Sequence, residues 1–387
     1  LKNGKNHLQD VFSERNVAPM IRPQWLGFFL LLACAATSFA SWNVVTYEGR
    51  RFVPIEDVAV FYKMNRSVTG QNSFRLSAAG RSIEGKAHAR DIRINGVKYV
   101  LCFPIASKNG KTLISAMDVT KIIEPVLRPQ KIKNATSVKT VILDPGHGGH
   151  DSGAIGPLGR EKEAALDVAL RAKRLLQAKG FQVMMTRSTD VFIPLEKRSA
   201  FANKFKNAVF VSIHFNKSKG TSGTGIETFC LAPRGVPSMD EANLSYSDLK
   251  LHPGHAKDPE NVALATAVHA SMVRKIALPD RGIKRARFHV IRATTIPSIL
   301  VEGGFMNNPT DSRMISGAPF RQKMAEAIVS GIVLFRGAVS GVTQFQQPSA
   351  MASATDSTNV PNLAQGTVGA DTDASSAIQA AAQALAN

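Results

Sequence analysis

Cysteine is scarce in this chain. Three occur among 387 residues, at Cys34, Cys102 and Cys230, and none has zinc-finger spacing, so neither a thiolate metal knuckle nor a disulfide framework is available. One bridge between Cys102 and Cys230 is open to an oxidising compartment, but the expectation is two unpaired buried thiols. Aromatics are few as well, with 2 Trp and 4 Tyr. That leaves no base-stacking platform, and with no nucleic-acid motif in view no nucleic-acid partner is expected. Acidic residues are in deficit: 29 Asp+Glu stand against 48 Lys+Arg, for a net charge of +19 and a pI near 10.1. Such a surplus favours polyanionic surroundings, including anionic lipid and acidic cell-wall polymer. What is present is a 44% hydrophobic content over a length sufficient for two ordinary domains, which excludes a chain disordered throughout.

Residues 20–41 read as an export signal. Met20 and Arg22 precede an apolar stretch at 26–36, and Ser38-Phe39-Ala40 places small residues at the cleavage positions. The mature chain then begins near Ser41, residues 1–19 are an upstream start artefact, and the protein is exported to the periplasm or cell envelope. The stretch is short for a membrane span. Membrane attachment therefore enters only if the signal is retained as an anchor, or if Cys34, in Leu31-Leu32-Ala33-Cys34, is lipidated.

Residues 43–128 carry mixed strand and helix signals. Asn95-Gly96 between two β-prone stretches predicts a tight hairpin, and 55–62 and 117–123 predict short helices. A basic linker at 129–139 follows. From 140 to 339 strands (141–144, 181–186, 209–213, 225–230, 287–291, 298–301) alternate with helices (161–178, 195–204, 261–276, 319–336), which predicts an α/β domain with a mainly parallel sheet. The stretch 231–259 is long for a plain connection and reads as a functional loop near the site. Residues 340–387, rich in Gln, Ser, Ala, Thr and Asn, predict a disordered tail with a weak helix at 376–385.

Three apolar runs each end in one hydrophilic group: His147 in Asp144-Pro145-Gly146-His147-Gly148-Gly149, His214 in Ser212-Ile213-His214-Phe215-Asn216, and Glu302 in Val301-Glu302-Gly303-Gly304. Buried parallel strands read as continuous Val/Ile/Leu runs, and the chemistry of open α/β sheets sits beyond their carboxyl ends. Helix phase adds a fourth group. Steps of four, seven and eleven from Glu161 reach Ala165, Val168 and Ala172, an apolar face, whereas the same steps from Glu163 reach Asp167, Leu170 and Arg174. Glu161 is therefore expected to face the strand ends and Glu163 the solvent. Two imidazoles and one carboxylate with an open position form the arrangement of a catalytic zinc, Zn2+, although another metal is not excluded. Glu302 has the character of a general base. The remaining candidates have blander readings: Arg187 and Arg198 as structural ion-pair or helix-surface residues, His150 as solvated, His252 and His255 as exposed loop residues, and His289 as packed on a strand.

In order, Asp144-Pro145-Gly146-His147-Gly148-Gly149, Gly153-Ala154-Ile155-Gly156, Glu161-Lys162, Thr186-Arg187 with Asp190, Arg198 with Ala202-Asn203, Ser212-Ile213-His214-Phe215-Asn216 and Val301-Glu302-Gly303-Gly304-Phe305 resemble the zinc-dependent N-acetylmuramoyl-L-alanine amidases of the third amidase type, over about 140–337. The resemblance implies a twisted sheet with helices on both faces, zinc held by His147, Glu161 and His214, and Glu302 as the catalytic carboxylate. It implies peptidoglycan as substrate, cleaved between N-acetylmuramic acid and L-alanine in cell separation or wall remodelling, and an activator or localising wall protein as partner. Two alternatives stand beside it: a zinc hydrolase of another wall amide, and a non-catalytic wall-binding protein. In some members an inserted helix occludes the zinc; Pro233, Pro237, Pro253 and Pro259 disfavour one long helix in 231–259. Residues 43–128 resemble the β-rich module of copper amine oxidase N-terminal type, which implies a wall-binding or spacer role and no copper.

Overall fold

The Val/Ile/Leu runs of the second half form adjacent strands whose two faces are both covered. The structure, a computed structural model, describes residues 42–70, 72–239 and 244–342. The export signal, Cys34 and the tail beyond 342 lie outside the described residues. No helix among the described residues is long and apolar enough to cross a membrane.

Among the described residues the first half supplies nine strands: β1 (Val45–Tyr47), β2 (Arg50–Pro54), β3 (Asn65–Gly70), β4 (Ser73–Ala78), β5 (Arg81–Lys86), β6 (Asp91–Ile94), β7 (Val97–Val100), β8 (Ala106–Lys108) and β9 (Lys111–Ser115). Helix α1 (Ile55–Tyr62) follows β2, and a helical stretch made of α2 (Ala116–Asp118), a π-helical turn (Val119–Ile123) and α3 (Glu124–Leu127) follows β9. Asn95 and Gly96 take φ of 51° and 76°, the left-handed values that a two-residue hairpin turn matched to strand twist requires. A small antiparallel sheet runs β1-β2-β9-β8.

The second half contributes β10 (Thr140–Pro145), β11 (Ile155–Gly156), β12 (Gly159–Arg160), α4 (Glu161–Ala178), β13 (Gln182–Met185), α5 (Leu195–Ala202), β14 (Ala208–Asn216), β15 (Ile226–Leu231), α6 (Asp258–Lys275), β16 (Asp280–Ala286), α7 (His289–Arg292), β17 (Ser298–Phe305), α8 (Pro309–Ser316) and α9 (Ala318–Val339). These strands and the β3–β7 meander share one sheet, ordered β13-β10-β14-β17-β15-β16-β7-β6-β5-β4-β3. β13, β10, β14 and β17 run parallel, and β15 is antiparallel to β17. The two halves join where β16 pairs with β7, Ile283 opposite Tyr99.

Alternation across the pleat sorts the side chains into two layers. Val141, Leu143, Val211, Ile299 and Val301 meet Ala165 and Val168 of α4, Val268 of α6 and Ile328 of α9 on one face. Ile142, Phe210, Phe229 and Leu300 meet Ala202 of α5 and Val290 and Ile291 of α7 on the other. The sheet is thus mixed, with helices on both faces. Cys102 and Cys230 are free and buried.

One element departs from the sequence reading. The expected strand at 287–291 is instead the helical turn α7, and the strand lies just before it, at β16. The physical reason is charge inside the sheet: Arg281 and Lys284 bind Glu227, and Arg285 binds Asp258. A strand whose hydrophilic residues are internally paired has no apolar run to announce it.

Candidate metal centre

Glycine geometry and a tier of buried arginines build the turn that carries the first imidazole. Asp144, at the end of β10, is fully buried and accepts hydrogen bonds from Thr186, Ser212 and Arg198. The chain then turns through His147 in the left-handed region, φ 58°, and closes by pairing Gly148 with Asp151. Arg198 donates to the carbonyls of Pro145 and His147, and Arg187 to those of Pro145, Gly146 and Lys162. Lys162, with Asp190, pins Gly149 from the outside. Arg198 forms the expected ion pair, with Asp144, and both arginines do more: they are buried clamps on the backbone of the His147 turn.

His147 Nδ1 lies 2.8 Å from Asp151 Oδ2, which orients the ring, and Nε2 lies 3.0 Å from Glu161 Oε2. Asp151 was missed in the sequence, where its spacing of four from His147 was the available signal. Glu161 opens α4 with its carboxylate buried, and Glu163 is exposed. Glu161 also accepts the backbone N–H of Ala154 (2.7 Å) and of Phe215 (3.0 Å), and its Oε1 lies 2.8 Å from His214 Nδ1. His214 comes from β14, beside Glu302 of β17 in the parallel register. The two imidazole rings are 4.9 Å apart and nearly perpendicular. Burial alone would raise the Glu161 pKa, but the two histidines hold it well below the carboxylate range. Burial works against a charged His147, yet the Glu161 and Asp151 carboxylates raise its pKa.

Ligand atoms of His147, Glu161 and His214 all lie within 4.8 Å of one another. Two imidazoles and one carboxylate are a donor set that suits zinc. Close packing supports the same reading. A Cβ on Gly153, whose φ is +65°, would stand 2.5 Å from both Glu161 Oε2 and the His147 ring, and one on Gly146 would collide with the His214 ring. These positions keep the cradle open by having no side chain.

The three groups and Glu302 line a cavity of about 710 Å³ that extends over the sheet face past Leu300, walled by Phe192, Leu195, Phe288 and His289. Glu302 is 9% exposed, and its Oε2 is buried without a hydrogen-bond partner. Burial raises its pKa well above the usual value, and the charges of Glu161 and Glu227 add to the rise against Lys284. Glu227 faces Glu302 from β15 and is held by Arg281 and Lys284.

The other candidates fall elsewhere. His150 is exposed against the Phe192 ring. His289 sits on α7 rather than a strand, and it lines the cavity. The His252 backbone N–H donates to His255 Nδ1, His255 Nε2 lies 3.0 Å from the Ala232 carbonyl, and neither histidine lines the cavity. Nor does any other described residue of 231–259, because β15 runs antiparallel to β17 and delivers Leu231 toward the amino end of that strand, away from Glu302. The loop expected near the site therefore leaves from the opposite end of the sheet. Its described residues hold only short 3₁₀ turns at Tyr246–Leu249 and Pro253–Lys257.

Residues 141–333 match the family described as N-acetylmuramoyl-L-alanine amidase. The chain is 31% identical over 227 residues to the N-acetylmuramoyl-L-alanine amidase AmiA of Escherichia coli strain K12, covering 53% of this chain and 78% of that protein. It is 33% identical over 213 residues to AmiC of Neisseria meningitidis serogroup B, covering 50% of this chain and 51% of that one. Among solved structures, the catalytic domain of CwlV from Bacillus (Paenibacillus) polymyxa var. colistinus is similar at 32% identity, covering 51% of this chain and 97% of that chain, with a TM-score of 0.43.

Proposed function

The chain belongs to the N-acetylmuramoyl-L-alanine amidase family, and from that premise we propose that it cleaves peptidoglycan with zinc held by His147, Glu161 and His214. The bond cut is the amide between the lactyl group of N-acetylmuramic acid and L-alanine. The convergence of those three side chains within 4.8 Å carries the reading. A bound zinc ion would supply Lewis acidity to the scissile carbonyl and to water. Asp151 orients the His147 ring, and the N–H groups of Ala154 and Phe215 fix the Glu161 carboxylate. Glu302 Oε2, buried and unpartnered at the cavity, takes the proton of the attacking water and delivers it to the leaving amine nitrogen. Phe192 and Phe288 give the groove apolar walls. Because the substrate lies outside the cytoplasmic membrane, the enzyme works in the periplasm or cell envelope, in cell separation or wall remodelling.

Metal analysis of the purified protein, joined to product analysis on isolated sacculi, tests this. The expected products are intact stem peptides with a free L-alanine amine. New reducing ends, or cuts within the stem, would overturn the assigned bond. Glu302→Gln should keep the metal and lose about 10²-fold or more in kcat, and full activity in that variant would remove Glu302 from the proton path.

A further inference from the structure

A second cavity, of about 760 Å³, opens on the amino-terminal half and shares no lining residue with the catalytic groove. Its size is that of a ligand site, and its walls combine apolar rings with a few charged groups. Trp42 and Phe61 stand with ring centroids 4.8 Å apart, and Phe103 lies across the cavity with Arg50 4.5 Å above its ring.

The charge of this cavity has one sign. Its single acid, Glu124, is already neutralised: it accepts from the Tyr62 hydroxyl at 2.7 Å and is paired with Arg128 at 2.7 Å. Lys121 is likewise paired, with Asp258. Arg50, Arg51 and Arg234 are exposed and have no carboxylate partner among the described residues. Arg234 arrives on the 231–259 connection, where its guanidinium donates only to the Leu249 carbonyl. Arg50 lies over the Phe103 ring and Arg128 over the Phe61 and Tyr62 rings, so the cleft offers three guanidiniums without a carboxylate partner beside the Trp42 ring, a lining that suits carboxylates next to a sugar face.

We propose that this cleft is a second binding site, which holds a carboxylate-bearing peptidoglycan strand by its sugar faces and stem-peptide carboxylates. The ligand class rests on the function proposed above; the cleft and its charge do not. The site explains why the 231–259 connection reaches away from the catalytic groove: it brings Arg234 to the amino-terminal half. Such a site would tether the enzyme to its insoluble substrate while the catalytic groove samples successive bonds, an effect of local concentration.

The test uses the full chain and Arg51→Glu/Arg234→Glu, two exposed changes whose folding is checked by thermal unfolding. Co-sedimentation is measured with sacculi stripped of covalently attached anionic polymers, and turnover with a short soluble muropeptide. The double variant is expected to bind stripped sacculi about tenfold more weakly, with kcat/KM on the soluble muropeptide unchanged. Amidating the stem carboxylates should lower wild-type binding to the level of the variant. Equal binding by both proteins overturns the site. Loss of wild-type binding when the attached polymers are stripped overturns the carboxylate assignment in favour of a phosphate polymer. If neither protein turns over the muropeptide, the proposed reaction fails, while the binding comparison still decides the cleft.

Discussion

Arg198→Met is expected to destabilise the folded chain by about 3 kcal/mol, at the low end of the range for breaking a buried ion pair. The guanidinium is buried and makes hydrogen bonds to Ile193 O (2.8 Å), Asp144 Oδ1 (2.8 Å), Pro145 O (2.7 Å) and His147 O (2.7 Å). Methionine fills similar volume but leaves Asp144, 0% exposed, with only the hydroxyls of Thr186 and Ser212. Uncompensated buried charge is the main cost, and Arg187, which still binds the Pro145 and Gly146 carbonyls, limits it. Urea unfolding of metal-free protein followed by circular dichroism should show a midpoint lower by about 1 M or more. Asp144→Asn added to Arg198→Met should recover about half of the loss, since it removes the stranded charge. A loss under about 1 kcal/mol, or no recovery in the double variant, would refute the view that this pair anchors the His147 turn.

Gly153→Ala should weaken zinc binding about tenfold or more, because its Cβ would meet Glu161 Oε2 at 2.5 Å on a backbone with φ +65°; unchanged affinity by calorimetry would count against the cradle. Glu161→Gln should abolish metal retention through dialysis while Glu163→Ala, on the exposed side of the same helix turn, leaves it intact; equal behaviour would undo the phase argument. The pH dependence of stability should carry a mark from Asp118, whose pKa burial lifts from 3.8 to about 6 although it accepts the Cys102 and Phe103 N–H groups. The folded state then holds a proton that the unfolded state has released, so wild type loses stability relative to Asp118→Asn as pH rises from about 4 to 6, by about 3 kcal/mol in all. A wild-type stability that stays level or rises relative to Asp118→Asn over that interval would contradict it.

Much of the catalytic half was legible because its strands are buried on both faces. The runs at 141–143, 209–213 and 299–301 had no other good reading, and the helix from Glu161 showed its sheet-facing side through Ala165, Val168 and Ala172. The hairpin at Asn95-Gly96 was legible for a local reason, the need for two left-handed residues. β16 was not, because Arg281, Lys284 and Arg285 are satisfied by Glu227 and Asp258, partners far away in sequence. The junction of the two halves was equally hidden: its strand pairing matches Ile283 with Tyr99, and the bonds around it link residues far apart in sequence, Asp280 with Arg93 and the Lys98 N–H, Thr266 with the Tyr99 hydroxyl, and Asp258 with Lys121. The course of 231–259 followed from the reversed direction of β15, which no run of apolar residues reveals.

The least legible part of the site is also the part that makes a cation site improbable at first sight. Two buried guanidiniums, Arg187 and Arg198, stand behind the turn that carries His147, and a nearby divalent ion would be repelled by both. The hydrogen bonds resolve this. Arg198 is neutralised by Asp144, and every other donor of the two arginines that the structure pairs points at a backbone carbonyl. On the cavity side the charge is negative, from Glu161, whose pKa the two histidines hold down, with Asp151 behind the His147 ring. Burial lowers the Arg187 pKa and the neighbouring Arg198 adds to this, against Asp190, Asp144 and Asp151. The arginines therefore stiffen the turn from behind while the carboxylates set the sign of the field in front, and neutralising Asp144 alone should weaken metal binding as well as stability. Asp144→Asn with undiminished zinc affinity would show that the field is set by the cavity carboxylates without this buried counter-charge.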